Sequence, residues 1–318
     1  MTAACAPSHR SVPDEPMRLL VWVNGEARDP ATAHVSALDR GFTLGDGVFE
    51  TMRAYDGHVA LLEEHLARLV RGTLTLGFTA PDLLHASVQE AAHQAAAAGL
   101  GNAIVRLTVT RGVGAPGLRP PPDAVPTTVL VIAPLPLMPD DYAAAGIRAR
   151  ILAASDAGRA AGIKALGYVE HVLALREAQD RGADDALLMD AAGHVREATA
   201  SNVFVVTTDD TVVTPALGNG VLPGVTRAAV LQLCAQLGIA AIERTVTVYD
   251  LDAATEIFLT SSVRELVPVV LLDDTPVGDG RPGAIGRRLR AAYRELVTSP
   301  RKHDSLELQL PQSRDAVS

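Results

Sequence analysis

Along this 318-residue chain, segments in which hydrophobic residues follow a strand pattern alternate with segments in which they recur at helical spacing. An apolar run over 19–23 precedes Asn24-Gly25, a pair typical of hairpin turns. Leu62, Leu66 and Leu69 recur at helical spacing. By the same criteria we predict strands over 103–110, 127–134, 186–190, 203–207, 256–260 and 267–272, and helices ending at 99–101 and spanning 167–181, 226–237 and 285–297.

Helices and strands are mixed in both halves of the chain, which predicts a two-domain α+β (mixed α/β) protein. Two prolines within residues 135–140 mark the expected linker between a small α/β domain (17–134) and a larger domain (141–298). Residues 1–16 and 299–318 are polar and aperiodic, so we expect a disordered amino-terminal tail and a carboxyl-terminal tail.

Composition narrows the function classes. A formal net charge of −9 and an aromatic content of 3% both argue against a nucleic acid partner. The sequence has no apolar run of about eighteen residues and no apolar stretch of signal-peptide length at its start, so we expect no membrane partner and a cytoplasmic location. Cys5 and Cys234 offer no metal-binding spacing, so no metal site is expected.

One glycine-rich segment suggests a nucleotide site. Residues 112–117 (GVGAPG) fit the pattern G-x-G-x-x-G and follow a predicted strand. A dinucleotide site needs a helix directly after the glycines, whereas Leu118-Arg119 and three prolines follow here. We therefore interpret the segment as a mobile loop and a candidate cover of an active site, and disfavour a nicotinamide-dependent dehydrogenase.

Two segments could bind an anion, although each has an ordinary structural alternative. The turn over 220–227 leads into a predicted helix, whose free N–H groups and dipole favour a phosphate there. The same residues could form only a turn and a helix cap. Thr260-Ser261-Ser262 end a buried strand and can donate to phosphate or carboxylate oxygens, or belong to an ordinary turn.

Two further residues could take part in catalysis. Lys164 lies among small and apolar residues, a setting that lowers the pKa of an amine and suits Schiff-base chemistry. The alternative is a lysine that extends into solvent at the start of a helix. Glu197 lies just before an apolar strand, where it could keep a pyridine nitrogen protonated or be an exposed loop carboxylate.

Together these segments occur in the order found in one enzyme family. The order is 39–53 (DRGFTLGDGVFETMR), His65 with Arg68, Lys164 with Tyr168, Glu197 with Ser201-Asn202, 222–227 and 260–262. It resembles the class IV aminotransferases, which include branched-chain and D-amino-acid aminotransferases and aminodeoxychorismate lyase, and the likeness covers residues 21–297. It implies a homodimeric fold type IV enzyme that binds pyridoxal 5'-phosphate between a small and a large domain and acts on a small-molecule amino acid.

The resemblance also implies roles for individual residues. Lys164 would carry the cofactor as a Schiff base and later move the proton, Tyr168 would contact the cofactor's phenolic oxygen, and Glu197 would pair with its pyridine nitrogen. The phosphate would be held by Arg68, Val225, Thr226 and Ser262, with Leu222 against the ring. Candidate substrate contacts are Phe42, Phe49, Arg111 and Ser261.

The combination of 49–51 (FET), 222–224 (LPG) and 260–266 (TSSVREL) looks most like aminodeoxychorismate lyase, which releases pyruvate and 4-aminobenzoate for folate synthesis. Branched-chain enzymes usually have Glu-Gly-Ile-Arg where this chain has Glu50-Thr51-Met52-Arg53, and a glutamate at the position of Pro223. The Arg-x-His pair of D-amino-acid enzymes is absent from residues 113–119. An aminotransferase for branched-chain or D-amino acids with 2-oxoglutarate is the alternative, and a non-catalytic binding protein on the same fold is the second alternative.

Overall fold

Two β-sheets, built from consecutive parts of the chain, organise the structure. The computed structural model describes residues 18–136, 142–154 and 158–299. One sheet is formed within residues 20–134 and the other within residues 147–276. This mixture of sheets and helices confirms the predicted fold class. The expected tail over 1–16, residues 300–318 of the expected tail over 299–318, and residues 137–140 of the expected linker lie outside the described residues. The domain boundaries stay predictions.

The first sheet has six strands, each antiparallel to its neighbours, in the order β2-β1-β6-β5-β3-β4. They are β1 (Leu20–Val23), β2 (Glu26–Arg28), β3 (Gly47–Tyr55), β4 (His58–Val59), β5 (Ala103–Thr110) and β6 (Thr127–Pro134). The predicted hairpin is present, since Asn24 has a left-handed φ of 52° between the first two strands. Its helices are α1 (Arg40–Leu44), α2 (Leu62–Thr75) and α3 (Leu84–Ala97).

The two faces of this sheet contact different parts of the protein, because successive side chains of a strand point to opposite faces. Val105, Leu107 and Val109 of β5 are buried against apolar residues of α2 and α3. Arg106 lies between them and therefore projects to the opposite face. On β3, Phe49 and Thr51 share that opposite face, since Thr51 pairs directly with Arg106. This face borders the cavity described below.

The second sheet has ten strands, nine of them in the order β12-β11-β10-β14-β15-β7-β8-β9-β13, with β16 paired to β15. They are β7 (Ile147–Ala153), β8 (Asp185–Met189), β9 (His194–Ala198), β10 (Asn202–Val206), β11 (Val212–Pro215), β12 (Ala241–Arg244), β13 (Val246–Thr247), β14 (Glu256–Ser261), β15 (Glu265–Leu272) and β16 (Thr275–Pro276). The helices of this part are α4 (Tyr142–Ala145), α5 (Val169–Asp180), α6 (Val225–Leu237), α7 (Val248–Asp252) and α8 (Ala284–Thr298). No helix in the described residues is long and apolar enough to cross a membrane.

Two contacts bring the halves of the chain together at β3. The segment after β7 forms an isolated antiparallel bridge between Ala165 and Val48, and Phe49 N donates to Lys164 O at 3.0 Å. At the other end of the strand, Arg53 donates to Val263 O and to the buried Glu265 carboxylate, each at 3.1 Å. The loop that carries Lys164 and the turn before β15 are therefore both fixed against one strand.

The glycine-rich loop is tied to α1 by one arginine. Arg40 donates to Gly117 O and Leu118 O, each at 3.0 Å, and to Asp46 Oδ2 at 2.8 Å. The residues after the loop, up to β6, form no helix, so the helix that a dinucleotide site needs directly after its glycines does not follow here. The mobility of the loop stays a prediction. Three carbonyls accept from this buried guanidinium, one in the last loop residue, Gly117, and two in Leu118 and Arg119 directly after it.

Candidate active site

A cavity of about 400 Å³ lies between the outer face of the first sheet and loops of the second. It brings together residues that are far apart in sequence, from Phe49 on β3 to Arg264 before β15. The predicted site residues on its wall are Phe49, Arg68, Lys164, Tyr168, Glu197, Leu222, Val225, Thr226, Ser261 and Ser262. The cofactor-binding positions implied by the family resemblance, and two of its four candidate substrate contacts, thus converge on one cavity.

Two candidate substrate residues, Phe42 and Arg111, lie elsewhere in the described chain. Phe42 is 76% exposed on α1 and does not line this cavity. Arg111 is buried, and its guanidinium donates to both carboxylate oxygens of Asp46, at 2.8 and 3.1 Å, and to Leu76 O at 2.6 Å. Arg111 does not line this cavity, so the geometry of this chain does not support it as a substrate contact within its own cavity.

Lys164 points its amine into the cavity rather than into bulk solvent. Its Nζ donates to Tyr168 Oη at 3.1 Å and lies 4.6 Å from the centroid of the Phe49 ring. Burial, followed by the positive charge of Arg68, lowers the pKa of Lys164 to about 8. A sizeable fraction of this amine is therefore neutral near physiological pH, which is the form that attacks an aldehyde.

Tyr168 borders the amine at the start of α5. Burial, followed by the negative charge of Glu197, raises the pKa of Tyr168 to about 12. The phenol therefore keeps its proton at physiological pH. Its ring makes an edge contact with Phe49 and stacks on His171, with centroid distances of 5.0 and 4.6 Å. His171 was missed by sequence reasoning.

Arg68 is held in the cavity wall by a buried carboxylate. Its Nε and Nη2 donate to the two oxygens of Glu50 at 2.7 and 2.6 Å, and its Nη1 donates to Pro223 O at 3.0 Å. Burial alone would raise the pKa of Glu50, but the charge and hydrogen bonds of Arg68, then of His65, lower it to about 2. The guanidinium is thus fixed and charged beside the turn that precedes α6.

That turn places a helix amino end next to Arg68. Gly224 caps the thirteen-residue α6, whose first N–H groups have no acceptor within the helix. A Cβ on Gly224 would lie 1.9 Å from Asn202 Oδ1, so only glycine lets the turn approach β10 this closely. Asn202 Nδ2 also donates to Leu222 O at 2.9 Å. A fixed guanidinium and a helix amino end together suit a phosphate.

Glu197 also lines the cavity, at the end of β9. Its Oε2 accepts from Leu222 N at 3.0 Å. Burial raises the pKa of Glu197, and the charges of His171 and Lys164 act against that rise. A partly buried carboxylate of this kind can share a proton with a ring nitrogen.

Arg106 and Arg264 are cavity residues that sequence reasoning missed. The Arg106 guanidinium carbon lies 3.9 Å from the centroid of Phe49. Arg264 Nη2 donates to Asp185 Oδ2 at 2.5 Å and to Ser201 Oγ at 2.9 Å. A single arginine in the otherwise uncharged strand over 103–110 was the one signal that the sequence offered for Arg106.

Comparisons with known proteins agree with this geometry. Residues 47–272 match the family model described as amino-transferase class IV. The chain belongs to the class IV aminotransferases. A putative branched-chain-amino-acid aminotransferase of Methanocaldococcus jannaschii is 34% identical over 87% of this chain and 96% of its own. Family membership confirms the predicted resemblance and makes the chain an enzyme, so the non-catalytic alternative is not retained.

Two solved structures are similar over nearly their whole length. The PLP-bound form of a hypothetical aminotransferase from Mycobacterium tuberculosis has a TM-score of 0.78 and 26% identity, over 87% of this chain and 98% of that one. The 4-amino-4-deoxychorismate lyase from Pseudomonas aeruginosa has a TM-score of 0.75 and 34% identity, over 88% of this chain and all of that one.

Class IV aminotransferases use pyridoxal 5'-phosphate, as the sequence predicted. The cavity fits this group, because it offers an amine of lowered pKa, a fixed guanidinium with a helix amino end, and a buried carboxylate held by Leu222 N. In addition, Thr260 Oγ1 is buried on the cavity wall with no hydrogen-bond partner among the described residues. A bound group with polar atoms would satisfy it.

We expect pyridoxal 5'-phosphate to attach covalently to Lys164 and not to Lys302, the other lysine of the sequence. The rate of attachment should rise as pH rises through about 8, because the neutral amine is the nucleophile. Borohydride reduction followed by peptide mass spectrometry measures both the position and the rate. Reduced adduct on Lys302 alone, or an unchanged yield in Lys164→Ala, contradicts the assignment.

Proposed function

We propose that the chain is a pyridoxal-phosphate aminotransferase that uses Lys164 to move an amino group between an amino acid and a 2-oxo acid. The observation that carries this proposal is the arrangement around Phe49. Lys164 Nζ lies 4.6 Å and the Arg106 guanidinium carbon 3.9 Å from the centroid of this ring. An amine for the chemistry and a cation for a carboxylate thus border the same part of the cavity, as an amino acid substrate requires.

Residues around the cavity have complementary roles in holding the cofactor. The phosphate would be held by Arg68, by Val225 and Thr226 at the start of α6, and by Ser262. Glu197 would pair with the ring nitrogen, and Leu222, whose N–H donates to Glu197, would pack on the ring. When bound, pyridoxal 5'-phosphate supplies an aldehyde that condenses with amines and a ring that stabilises negative charge at the substrate's α-carbon.

Lys164 is the residue placed to move the substrate's α-proton. Its lowered pKa lets the amine accept a proton near neutral pH and release it again. Tyr168 keeps its phenolic proton and accepts from Lys164 Nζ at 3.1 Å, which directs the amine toward the cavity. The loop of Lys164 is in turn fixed by the hydrogen bond from Phe49 N to its carbonyl.

Aminodeoxychorismate lyase activity, which the sequence motifs favoured, is the second candidate. The chain is 34% identical to the Pseudomonas aeruginosa lyase, the same identity as to the Methanocaldococcus jannaschii relative. Both reactions need the same amine and the same proton transfer and differ in what leaves afterwards. We place amino transfer first because the named sequence relative is a putative aminotransferase.

The reaction type is tested with the purified protein and added pyridoxal 5'-phosphate. We expect glutamate to form from 2-oxoglutarate when branched-chain or D-amino acids are supplied as donors, and we expect Lys164→Ala to abolish it. Aminodeoxychorismate is assayed in parallel for release of pyruvate. Pyruvate release without any amino transfer would replace the aminotransferase with the lyase.

Arg106→Gln tests the cation proposed to bind the substrate's carboxylate. Losing one charged hydrogen-bonding group should lower kcat/KM by about 10- to 100-fold, mainly through KM. Binding of pyridoxal 5'-phosphate should stay unchanged, because the phosphate is proposed to bind at Arg68 and not at Arg106. Arg176→Gln, on the exposed face of α5, is the control. Equal kcat/KM in the Arg106 variant and the wild type would remove Arg106 from the substrate site.

We also propose a homodimer, supported by an apolar surface formed by Phe42, Val113 and Leu118. Phe42 is 76% and Leu118 85% exposed, and Arg40 ties their two segments together. Sedimentation should give about twice the chain mass of 33.3 kDa, and Leu118→Asp should shift the protein toward monomer. Leu83→Asp, at another highly exposed leucine that is not part of this surface, should leave the dimer intact. A wild-type monomer would refute the proposal.

A further inference from the structure

A series of hydrogen bonds connects two residues proposed to hold the phosphate, Ser262 and Arg68. Ser262 Oγ lies 3.0 Å from His65 Nε2, and His65 Nδ1 lies 2.7 Å from Glu50 Oε2. Glu50 then pairs with Arg68 through both of its oxygens. His65 and Glu50 are fully buried, so these partners fix the positions of the protons that they share.

The protons in this series of hydrogen bonds are too few to satisfy both His65 and a bound phosphate. Glu50 is ionised, since its pKa is lowered to about 2, so it can only accept, and His65 Nδ1 must carry a proton. If His65 is neutral, its Nε2 carries no proton and accepts a hydrogen bond from the hydroxyl of Ser262. The hydroxyl of Ser262 then presents only lone pairs to the cavity.

A phosphate dianion also presents only lone pairs. Ser262 cannot donate to Nε2 and to a phosphate oxygen at the same time, because a serine hydroxyl has one proton. Turning the hydroxyl away from His65 would leave a buried ring nitrogen without a partner. One further proton resolves the conflict: with Nε2 protonated, His65 donates to Ser262 Oγ, and Ser262 donates to the phosphate.

We propose that His65 is a positioning residue that takes up one proton from solvent when the cofactor's phosphate binds, and so makes Ser262 a phosphate donor. This inference rests on the proposed function, which places the phosphate at Arg68, Thr226 and Ser262. His65 acts through Ser262 and is not itself a catalytic residue.

The charges that face His65 set the direction of the pH dependence. They are Glu50 from β3, Arg68 from the same helix and Lys164 from the loop after β7, while Ser262 is uncharged. Burial lowers the pKa of His65 in spite of Glu50, and Arg68 and Lys164 lower it further. A phosphate dianion raises it. Between the two pKa values, binding should therefore weaken as pH rises, by up to about tenfold per pH unit.

The test measures protons taken up on binding of pyridoxamine 5'-phosphate, which has no aldehyde to react with Lys164. Calorimetric titrations at about pH 7.5, above the second phosphate pKa of about 6, are repeated in buffers of different ionisation enthalpy. Pyridoxamine, with the same ring and amine but no phosphate, provides the value to subtract. We expect the difference to be close to one proton.

Two variants separate the proposed role from simple packing. Ser262→Ala removes the shared hydroxyl, and His65→Asn keeps a donor toward Glu50 but cannot gain a proton. Both should reduce the extra proton uptake to near zero, and Ser262→Ala should weaken binding by at least about tenfold, as expected for a lost hydrogen bond to a charged group. His194→Asn, at a surface histidine paired with Asp190, is the matched control and should keep the full uptake.

The outcomes distinguish this inference from the proposed function. No extra uptake in the wild type, or full uptake in either Ser262→Ala or His65→Asn, overturns the role of His65 even if the cofactor binds. If pyridoxamine 5'-phosphate does not bind the wild type, the proposed phosphate site itself is wrong, and this inference falls with it.

Discussion

The buried ion pair between Glu50 and Arg68 is the contact on which the rest of the site depends. Two charges removed from water are costly unless both are paired and their remaining hydrogen-bonding atoms are satisfied. Here Glu50 accepts from Arg68 and His65, and Arg68 also donates to Pro223 O. The pair therefore links β3, α2 and the turn before α6. The same contacts that offset its desolvation also position Arg68 for the proposed phosphate.

Strand β3 shows why one element can serve both the core and the site. Its residues alternate between a face packed on α2, where Met52 is fully buried, and a face toward the cavity, where Phe49 lies. Its backbone also binds the loop of Lys164, through the hydrogen bond from Phe49 N. Small shifts of this strand would therefore move the amine and the ion pair together.

Much of the fold could be predicted because period-2 and helical patterns mark surfaces buried on one side. The predicted strands over 103–110 and 127–134 have the bounds observed for β5 and β6. No strand was predicted over 47–55, where β3 is covered on both faces and its charged residues, Glu50 and Arg53, form ion pairs within the protein. Polar residues at Glu50 and Arg53 therefore gave no alternation that could mark a solvent-facing side.

The site was predictable where residue type alone carries the chemistry, and less so where it depends on which way a strand faces. The apolar setting of Lys164 indicated its lowered pKa, which the structure attributes to burial and Arg68. For the substrate contact, sequence reasoning chose Arg111, which follows β5 and is bound by Asp46. Arg106, within the strand, faces the cavity instead, because it alternates with the buried Val105 and Leu107.

Arg68 links the two halves of the proposed chemistry through its charge. It is fixed where a phosphate would bind, and the same positive charge helps to lower the pKa of Lys164. A bound phosphate would offset that charge, so the pKa of the Lys164 amine would rise part of the way back toward its ordinary value. Desolvation by the cavity, the larger cause, would remain. Burial rather than the neighbouring charge therefore has to keep Lys164 able to exchange a proton in the loaded enzyme.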